Sequence, residues 1–218
     1  MQDFEKAFIE LSTRAGALRF GEFKLKSGRV SPYFFNAGEF CTGAQLATLA
    51  DCYASKIVAS GIQFDGLFGP AYKGIPLVAA TAVALAENHA VDVPYTYNRK
   101  EAKNHGEGGT LVGAALRGKI LILDDVITAG TAIRESLELL QGSPGVEVCG
   151  VLVGLDRQER ADSGLSAVDA LAREAGIPVL SIVAFEHLLD FLSKDGSQTG
   201  DSPRILKMMQ EYRQKYGA

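Results

Sequence analysis

A single stretch near the middle of the chain constrains the fold more than any other part of the sequence. Ile120 to Leu123 is an unbroken apolar run rich in β-branched residues, which is typical of a strand buried on both faces in a parallel sheet. Asp124 and Asp125 follow directly, and small or hydroxyl-bearing residues come next. Residues 132–140 then carry apolar side chains at the spacing of one helix face. The sequence therefore predicts a strand, a short loop and the N-terminus of a helix.

The loop between that strand and that helix is suited to bind a phosphate group. The first backbone N–H groups of a helix lack partners within the helix, and the helix dipole adds partial positive charge there. Thr128 and Thr131 offer hydroxyl donors, and Gly130 permits a close approach and a positive φ. A purely structural alternative is that the two aspartates end the strand and Thr131 caps the helix. Adjacent carboxylates at a buried strand end repel each other unless hydroxyl groups, water or a cation compensate their charge. This repulsion favours a functional site over the structural alternative.

The composition excludes several classes of protein. The chain has 218 residues, of which 47% are hydrophobic and 22% charged, so it is long enough for one α/β domain and is not disordered. A net charge of −4 argues against a main role in non-specific nucleic-acid binding. No apolar stretch reaches the roughly 20 residues that a membrane helix needs, and the N-terminus lacks an apolar signal segment. We therefore expect a cytoplasmic protein that binds neither nucleic acid nor a membrane.

The cysteines do not form a recognisable redox or metal motif. Cys41, Cys52 and Cys149 are an odd number and are widely spaced. A disulfide framework or a zinc site is therefore not expected. We interpret the three cysteines as small buried hydrophobic residues.

Strand and helix patterns alternate through most of the chain. Helices are predicted at about residues 4–14, 43–60, 75–88, 132–140, 168–175, 185–192 and 204–216. Strands are predicted within 18–29 and 31–36 and at about 64–69, 93–99, 111–112, 120–123, 146–155 and 179–183. This alternation indicates an α/β fold with a mostly parallel sheet flanked by helices, in which ligands bind at the carboxyl ends of the strands. We expect a single domain that spans residues 1–218.

Three predicted loops should open at one edge of that sheet, because each follows a strand. One loop contains Tyr72 and Lys73, the second is the acidic loop after Asp124, and the third contains Arg157, which can pair with a carboxylate. Residues 99–109 are charged and glycine-rich, so we expect them to form a mobile loop that adds cations. Together these groups suit a doubly phosphorylated ligand rich in hydroxyl groups.

Several segments resemble the type I phosphoribosyltransferases. The run from Leu123 to Thr131 is similar to the motif with which that family binds 5-phosphoribosyl 1-diphosphate (PRPP). Over nearly the whole chain the sequence is most similar to the bacterial orotate phosphoribosyltransferases. The other segments that carry this resemblance are 20–23, 25–29, 31–36, 68–74, 98–108 and 155–160.

The resemblance implies a fold, a reaction and a set of site residues. The fold would be a parallel sheet with a hood made of about residues 1–40 and C-terminal elements. The reaction would join orotate to PRPP and release diphosphate, with Mg²⁺ carried mainly by the diphosphate and reached through water by Asp124 and Asp125. The implied catalytic residues are Lys103, His105, Asp124 and Asp125. The implied PRPP contacts are Lys26, Tyr72, Lys73, Arg99, Lys100, Lys103, His105, Asp124, Asp125, Val126, Ile127, Thr128, Ala129, Gly130, Thr131 and Ala132. The implied orotate contacts are Lys26, Phe34, Phe35, Thr128 and Arg157.

The resemblance also implies a homodimer, in which Arg99, Lys103 and His105 serve the diphosphate bound by the neighbouring subunit. Three alternative functions agree less well with the sequence. A PRPP-sensing regulator on the same fold would need a basic face for nucleic acid. A phosphatase or receiver domain would need a D-x-D spacing that Asp124 and Asp125 lack. A purine or uracil phosphoribosyltransferase would leave the anion-binding Arg157 unexplained.

Overall fold

Strands and helices alternate along most of the chain, as the sequence predicts. The computed structural model describes residues 1–25, 28–103, 109–127, 130–160, 164–195 and 202–218. The strands are β1 (Leu18–Lys24), β2 (Val30–Phe35), β3 (Gly66–Gly69), β4 (Tyr95–Lys103), β5 (Gly109–Gly113), β6 (Gly118–Val126), β7 (Val146–Asp156) and β8 (Val179–Ala184). The helices are α1 (Asp3–Arg14), α2 (Gly43–Ser60), α3 (Gly74–His89), α4 (Thr131–Gln141), α5 (Ala167–Ala175), α6 (Phe185–Asp195) and α7 (Ser202–Tyr216).

Six of the strands form one sheet in the order β5-β4-β3-β6-β7-β8. All neighbouring pairs in it are parallel except β4 and β5, which run antiparallel. The predicted α/β fold with a mostly parallel sheet flanked by helices is confirmed. β6 lies inside the sheet between β3 and β7, so the acidic end of β6 has a strand end on each side.

The side chains of β6 alternate between two hydrophobic cores. Leu121 and Leu123 belong to the core that contains residues of α1, α2, α3 and α6. Ile120 and Ile122 belong to a second core with residues of α4 and α5. Successive side chains of a strand point to opposite faces, so both faces of the sheet are covered, as the apolar run predicts. Within the described ranges, no helix is long and apolar enough to cross a membrane.

The N-terminal hairpin forms a two-stranded sheet that is separate from the six-stranded sheet. β1 and β2 pair antiparallel, with Lys24 opposite Val30. α7 packs against β2 and α6, and α1 packs against β1, α2 and α6. Elements from both ends of the chain therefore lie together beside the hairpin.

The mobile loop predicted over residues 99–109 is wrong at both of its ends, where the structure has strands. Arg99 to Lys103 continue β4, and Gly109 begins β5. Lys103 and Gly109 are register partners in the antiparallel pair. Backbone hydrogen bonds of a ladder do not depend on apolar side chains, which explains why the charged composition was misleading. Residues 104–108 lie outside the described residues.

The interpretation of the cysteines is correct for Cys52 and wrong for Cys41. Cys52 is buried in α2, and Cys149 is half-buried in β7. Cys41 is exposed just before α2, where its backbone N–H donates to Oε1 of Gln45 at 3.0 Å. Gln45 belongs to the capping box of α2, so the local structure around Cys41 is a helix start rather than a core position.

Candidate active site

The loops that follow β3, β6 and β7 open at the same edge of the sheet, as predicted. The three strands are parallel neighbours, and Val126 of β6 is the register partner of Leu155 of β7. Nζ of Lys73, in the loop after β3, lies 2.7 Å from Oδ2 of Asp125 at the end of β6. The sheet therefore brings the lysine loop and the acidic pair into direct contact.

Asp124 is a buried carboxyl group. Only 8% of the residue is exposed, and Oδ1 accepts the backbone N–H of Asp125 at 2.9 Å. The Tyr53 hydroxyl donates to the Asp124 carbonyl oxygen at 2.8 Å. A Cβ atom at Gly154 would lie 2.9 Å from that hydroxyl oxygen, so glycine leaves room for Tyr53. Burial, followed by repulsion from Asp125, raises the pKa of Asp124 to about 7.

Asp125 has a different environment from its neighbour. Its Oδ1 accepts the backbone N–H of Val126 at 2.9 Å, and its Oδ2 is paired with Lys73. The Asp125 side chain is 14% exposed, whereas the Lys73 side chain is 53% exposed. The site therefore holds one buried carboxyl and one carboxylate that is neutralised by a lysine at the surface.

The N-terminus of α4 has no side-chain cap. Gly130 occupies the N-cap position with a φ of 72°, the left-handed conformation that glycine favours. The structural alternative in which Thr131 caps the helix is wrong, because Thr131 is the first residue of the helix. Ile127 and Gly130 are buried, whereas Thr131 and Ala132 are exposed at the helix start. The first N–H groups of α4 are thus left without a capping side chain from Gly130, as a phosphate site requires.

The loop after β3 is held in place by β4. Oδ1 of Asn98 accepts the backbone N–H of Ala71 at 2.8 Å. Nζ of Lys100 lies 5.4 Å from the ring centroid of Tyr72, and Tyr72 is 66% exposed. Asn98 and Lys100 are two residues apart on a strand, so they share a face, and Arg99 points to the other face. The structure therefore brings Lys100, and not Arg99, to the Tyr72 loop of its own chain.

Phe34 and Phe35 point to opposite sides of the hairpin. Phe35 lines a cavity of about 180 Å³ whose lining also includes Lys73 and Asp125. The ring of Phe34 instead packs near Phe23, with a centroid distance of 5.7 Å, and the Arg19 guanidinium carbon lies 5.5 Å from its centroid. The structure brings only Phe35 to the acidic pair.

Arg157 lies just beyond β7 and is largely surrounded by protein. Its guanidinium carbon lies 4.5 Å from the centroid of the Tyr33 ring. Its Nε donates to Oε1 of Glu159 at 2.9 Å, and Nη2 donates to the Ser31 hydroxyl oxygen at 3.3 Å. Arg157 therefore connects the end of the central sheet to β2 of the hood.

Comparison with known proteins identifies the family. Residues 38–168 match the model of the phosphoribosyl transferase domain. The chain is 54% identical over 217 residues to an orotate phosphoribosyltransferase from Saccharophagus degradans, covering 100% of this chain and 99% of the relative. It is 56% identical over 217 residues to one from Pseudomonas fluorescens, covering 100% of both. The chain belongs to the orotate phosphoribosyltransferase family.

A solved structure supports the same family. The orotate phosphoribosyltransferase of Francisella tularensis is 46% identical and superposes with a TM-score of 0.85, covering 97% of this chain and 96% of that one. The predicted resemblance to bacterial orotate phosphoribosyltransferases is confirmed. Because the match spans nearly all of both chains, it includes the hood as well as the sheet.

The acidic pair fits the way in which orotate phosphoribosyltransferases are expected to use Mg²⁺. Among the described residues there is no group of three or more His, Cys, Asp and Glu side chains placed to hold a metal ion. Mg²⁺ keeps several of its waters and commonly binds to one or two carboxylates together with substrate phosphates. Asp124 and Asp125 supply two adjacent carboxyl groups, which is sufficient for that mode of binding and insufficient for an all-protein site.

Some of the predicted site residues fall outside the described structure, and one contact was missed. Lys26, His105, Thr128 and Ala129 lie outside the described residues, as does the side chain of Lys103 at the end of β4. Asn98 was not predicted. Asparagine is depleted in strands, so its presence beside Arg99 in a predicted strand was a usable signal for a special role.

Proposed function

We propose that this protein transfers the ribose 5-phosphate group of PRPP to orotate, giving orotidine 5′-phosphate and diphosphate in the de novo synthesis of UMP. The observation that carries the proposal is the contact between Lys73 and Asp125 beside the uncapped start of α4. This arrangement places a cation, a carboxylate and a helix N-terminus that its N-cap residue leaves uncapped at one edge of the sheet. A sugar bearing phosphates at both ends needs these groups.

The chemistry in this proposal is electrostatic. Breaking the bond between C1 of the ribose and the diphosphate leaves positive charge on the sugar and negative charge on the leaving group. Asp124 and Asp125 would bind the ribose hydroxyl groups and face the positive charge, and the residues from Val126 to Ala132 would hold the 5-phosphate. Tyr72, Lys73 and Lys100 would face the diphosphate. Mg²⁺, bound with the diphosphate, would neutralise part of its charge.

The proposed contacts with the orotate base lie in the hood or beside it. Arg157 would bind the orotate carboxylate, because its guanidinium is fixed beside β2 and its Nη1 donates no hydrogen bond within the described part of the chain. Phe35 would contact the ring from the cavity that it shares with Lys73 and Asp125. Lys26 and Thr128 complete the proposed set, whereas the Phe34 ring lies on the other side of the hairpin and is left out of it.

The proposal includes a homodimer with shared sites. Nη1 of Arg99 is buried and has no hydrogen-bond partner in the described part of the chain. A buried, unpaired guanidinium nitrogen is costly, which supports a partner outside these residues. Arg99, together with Lys103 and His105, is assigned to the diphosphate of the neighbouring subunit.

A cytoplasmic location is proposed because Cys41, Cys52 and Cys149 are free thiols, which a reducing compartment preserves.

The proposal is tested by the loss of orotate absorbance after PRPP and Mg²⁺ are added to the purified protein. Hypoxanthine, adenine and uracil serve as alternative bases, and omission of Mg²⁺ tests the cofactor. Rapid, PRPP-dependent loss of orotate is expected, with little conversion of the other bases. Preferential use of another base would overturn the assignment to orotate, and no turnover of any base would favour a PRPP-sensing regulator.

A further inference from the structure

The environment of Arg157 includes residues from the far C-terminal end of the chain. Oε1 of Glu159 accepts hydrogen bonds from Nε and Nη2 of Arg157. The same oxygen accepts a hydrogen bond from the hydroxyl group of Tyr212, in α7, at 2.9 Å. Oε2 of Glu159 lies 3.8 Å from Nη1 of Arg29. One carboxylate thus joins Arg157 to α7 and to the hood.

The backbone on either side of Glu159 is also tied to the C-terminus. The Arg160 N–H donates to the Tyr216 carbonyl oxygen at 2.8 Å, and the Ala218 N–H donates to the Gln158 carbonyl oxygen at 2.9 Å. Glu159 and Gly217 form an antiparallel bridge. The turn that carries Arg157 is therefore fixed by the last three residues of the chain as well as by β7.

These contacts use a defined part of the Arg157 guanidinium group. Nε and Nη2 both donate hydrogen bonds to Glu159, and Nη2 also donates to the Ser31 hydroxyl oxygen. The Tyr33 ring covers one face of the guanidinium group. Nη1 donates no hydrogen bond within the described part of the chain. A guanidinium with two of its three nitrogens fixed loses little conformational freedom when the third binds a carboxylate.

We propose that Glu159, held by Tyr212 of α7, is a positioning residue that orients the Arg157 guanidinium so that Nη1 faces the carboxylate of the acceptor base. This inference rests on the proposed function, because it assigns an anionic base to Arg157. It makes the C-terminal helix part of the apparatus that selects a base bearing a carboxylate.

The opposite reading is that Glu159 competes with the substrate for Arg157 and moves away when the substrate binds. Three groups hold Glu159 besides the arginine: the Tyr212 hydroxyl, the Arg29 guanidinium and the bridge to Gly217. Movement of the side chain would leave the Tyr212 hydroxyl without this partner and would separate Glu159 from Arg29. These costs favour a fixed carboxylate. The two readings predict opposite changes in the KM for orotate.

The test compares variants on the same helix and at the same carboxylate. Glu159→Ala should raise the KM for orotate about tenfold, and Tyr212→Phe about threefold, with kcat and the KM for PRPP changed less than about twofold. Glu159→Gln keeps an acceptor oxygen and should fall between Glu159→Ala and the unmodified protein. Tyr216→Phe is the matched control, because it removes a hydroxyl from α7 that has no hydrogen bond within the described structure; its kinetics should be unchanged.

The outcomes separate this inference from the proposed function. If the unmodified protein does not consume orotate, the proposed function fails. If it does so and both Glu159→Ala and Tyr212→Phe leave the KM for orotate unchanged, only the positioning role fails. A lower KM for orotate in Glu159→Ala would overturn positioning in favour of competition, and an equal rise in the KM for PRPP would indicate a merely structural role. If Glu159→Ala does not fold, Tyr212→Phe against Tyr216→Phe decides the question.

Discussion

Nζ of Lys73 lies 2.7 Å from Oδ2 of Asp125, although the two residues are 52 positions apart in the chain. The contact joins the loop after β3 to the end of β6. Because half of the Lys73 side chain is exposed, the pair contributes little to stability. Its importance is chemical, since it brings the proposed diphosphate and ribose contacts together.

Asp125→Asn should therefore separate activity from stability. We expect kcat/KM to fall at least about 100-fold, because a charge facing the developing positive charge is lost. The free energy of unfolding should change by less than about 1 kcal/mol, as for other ion pairs with an exposed member. Steady-state kinetics and urea denaturation measure the two quantities. The control is Asp190→Asn, which breaks the exposed pair with Lys194 and should leave kcat/KM intact; similar losses in both variants would contradict the prediction.

Asp124 should make stability depend on pH. Burial and the adjacent Asp125 raise the pKa of Asp124 from 3.8 to about 7. Between these values the native protein keeps a proton that the unfolded chain has lost, so this carboxyl makes the free energy of unfolding fall as pH rises from about 4 to about 7. Asp124→Asn should remove that slope and stabilise the protein by roughly 4 kcal/mol at pH 8, with little effect at pH 4. Urea denaturation at several pH values measures this, and an unchanged slope would show that Asp124 is not its source.

Replacement of Asn98 should raise the KM for PRPP and leave the KM for orotate nearly unchanged. Asn98→Ala removes the acceptor of the Ala71 N–H and loosens the loop that presents Tyr72 and Lys73. We expect the KM for PRPP to rise about fivefold and the KM for orotate to change less than twofold, since one side-chain hydrogen bond contributes about 1 kcal/mol. Asn88→Ala is the control, because it removes a comparable bond, to Asp51, at 2.7 Å. Equal effects of the two variants on the KM for PRPP would exclude the proposed role.

Variants of Lys103 test whether each active site of the proposed homodimer is shared between the two subunits. Lys103→Ala should lower kcat at least about tenfold, roughly 1.4 kcal/mol of barrier, with the fold intact. If Lys103 acts on the neighbouring subunit, a dimer of one Lys103→Ala and one Asp125→Asn subunit has one intact site. An equal mixture should then recover about one quarter of the unmodified activity, because about half of the dimers are hybrid. Subunit exchange is verified by native mass spectrometry, and absence of recovery after exchange would place Lys103 in its own subunit's site.

Gly69 should tolerate no side chain. A Cβ atom at Gly69 would lie 2.2 Å from the Gly74 carbonyl oxygen at the start of α3. Gly69→Ala should destabilise the protein by more than about 2 kcal/mol, because the backbone must move at the base of the Lys73 loop. Gly43→Ala is the control, since its Cβ would meet nothing within 4 Å. Thermal unfolding compares the two, and equal melting temperatures would show that the close approach is easily relaxed.

The order of strands and helices, and the edge of the sheet at which the candidate site lies, could be predicted from the sequence. The apolar run of β6, the helix periodicity of α4 and the order of strands and helices are local patterns, and local patterns report burial directly. Parallel strands then bring their carboxyl ends to one edge whatever the details of packing. The resemblance of the acidic loop and of segments along nearly the whole chain to known motifs added the family, which comparison confirmed.

The pairing of the side chains across the site became clear only from the packed structure. The burial of Asp124 beneath Tyr53, the contact of Lys73 with Asp125 and the bond from Tyr212 to Glu159 join residues more than 50 positions apart. Such pairings depend on packing between elements, which no local pattern encodes. The extension of β4 beyond Arg99 to Lys103 was missed for the same reason, since its pairing with β5 is made by backbone groups that every residue carries.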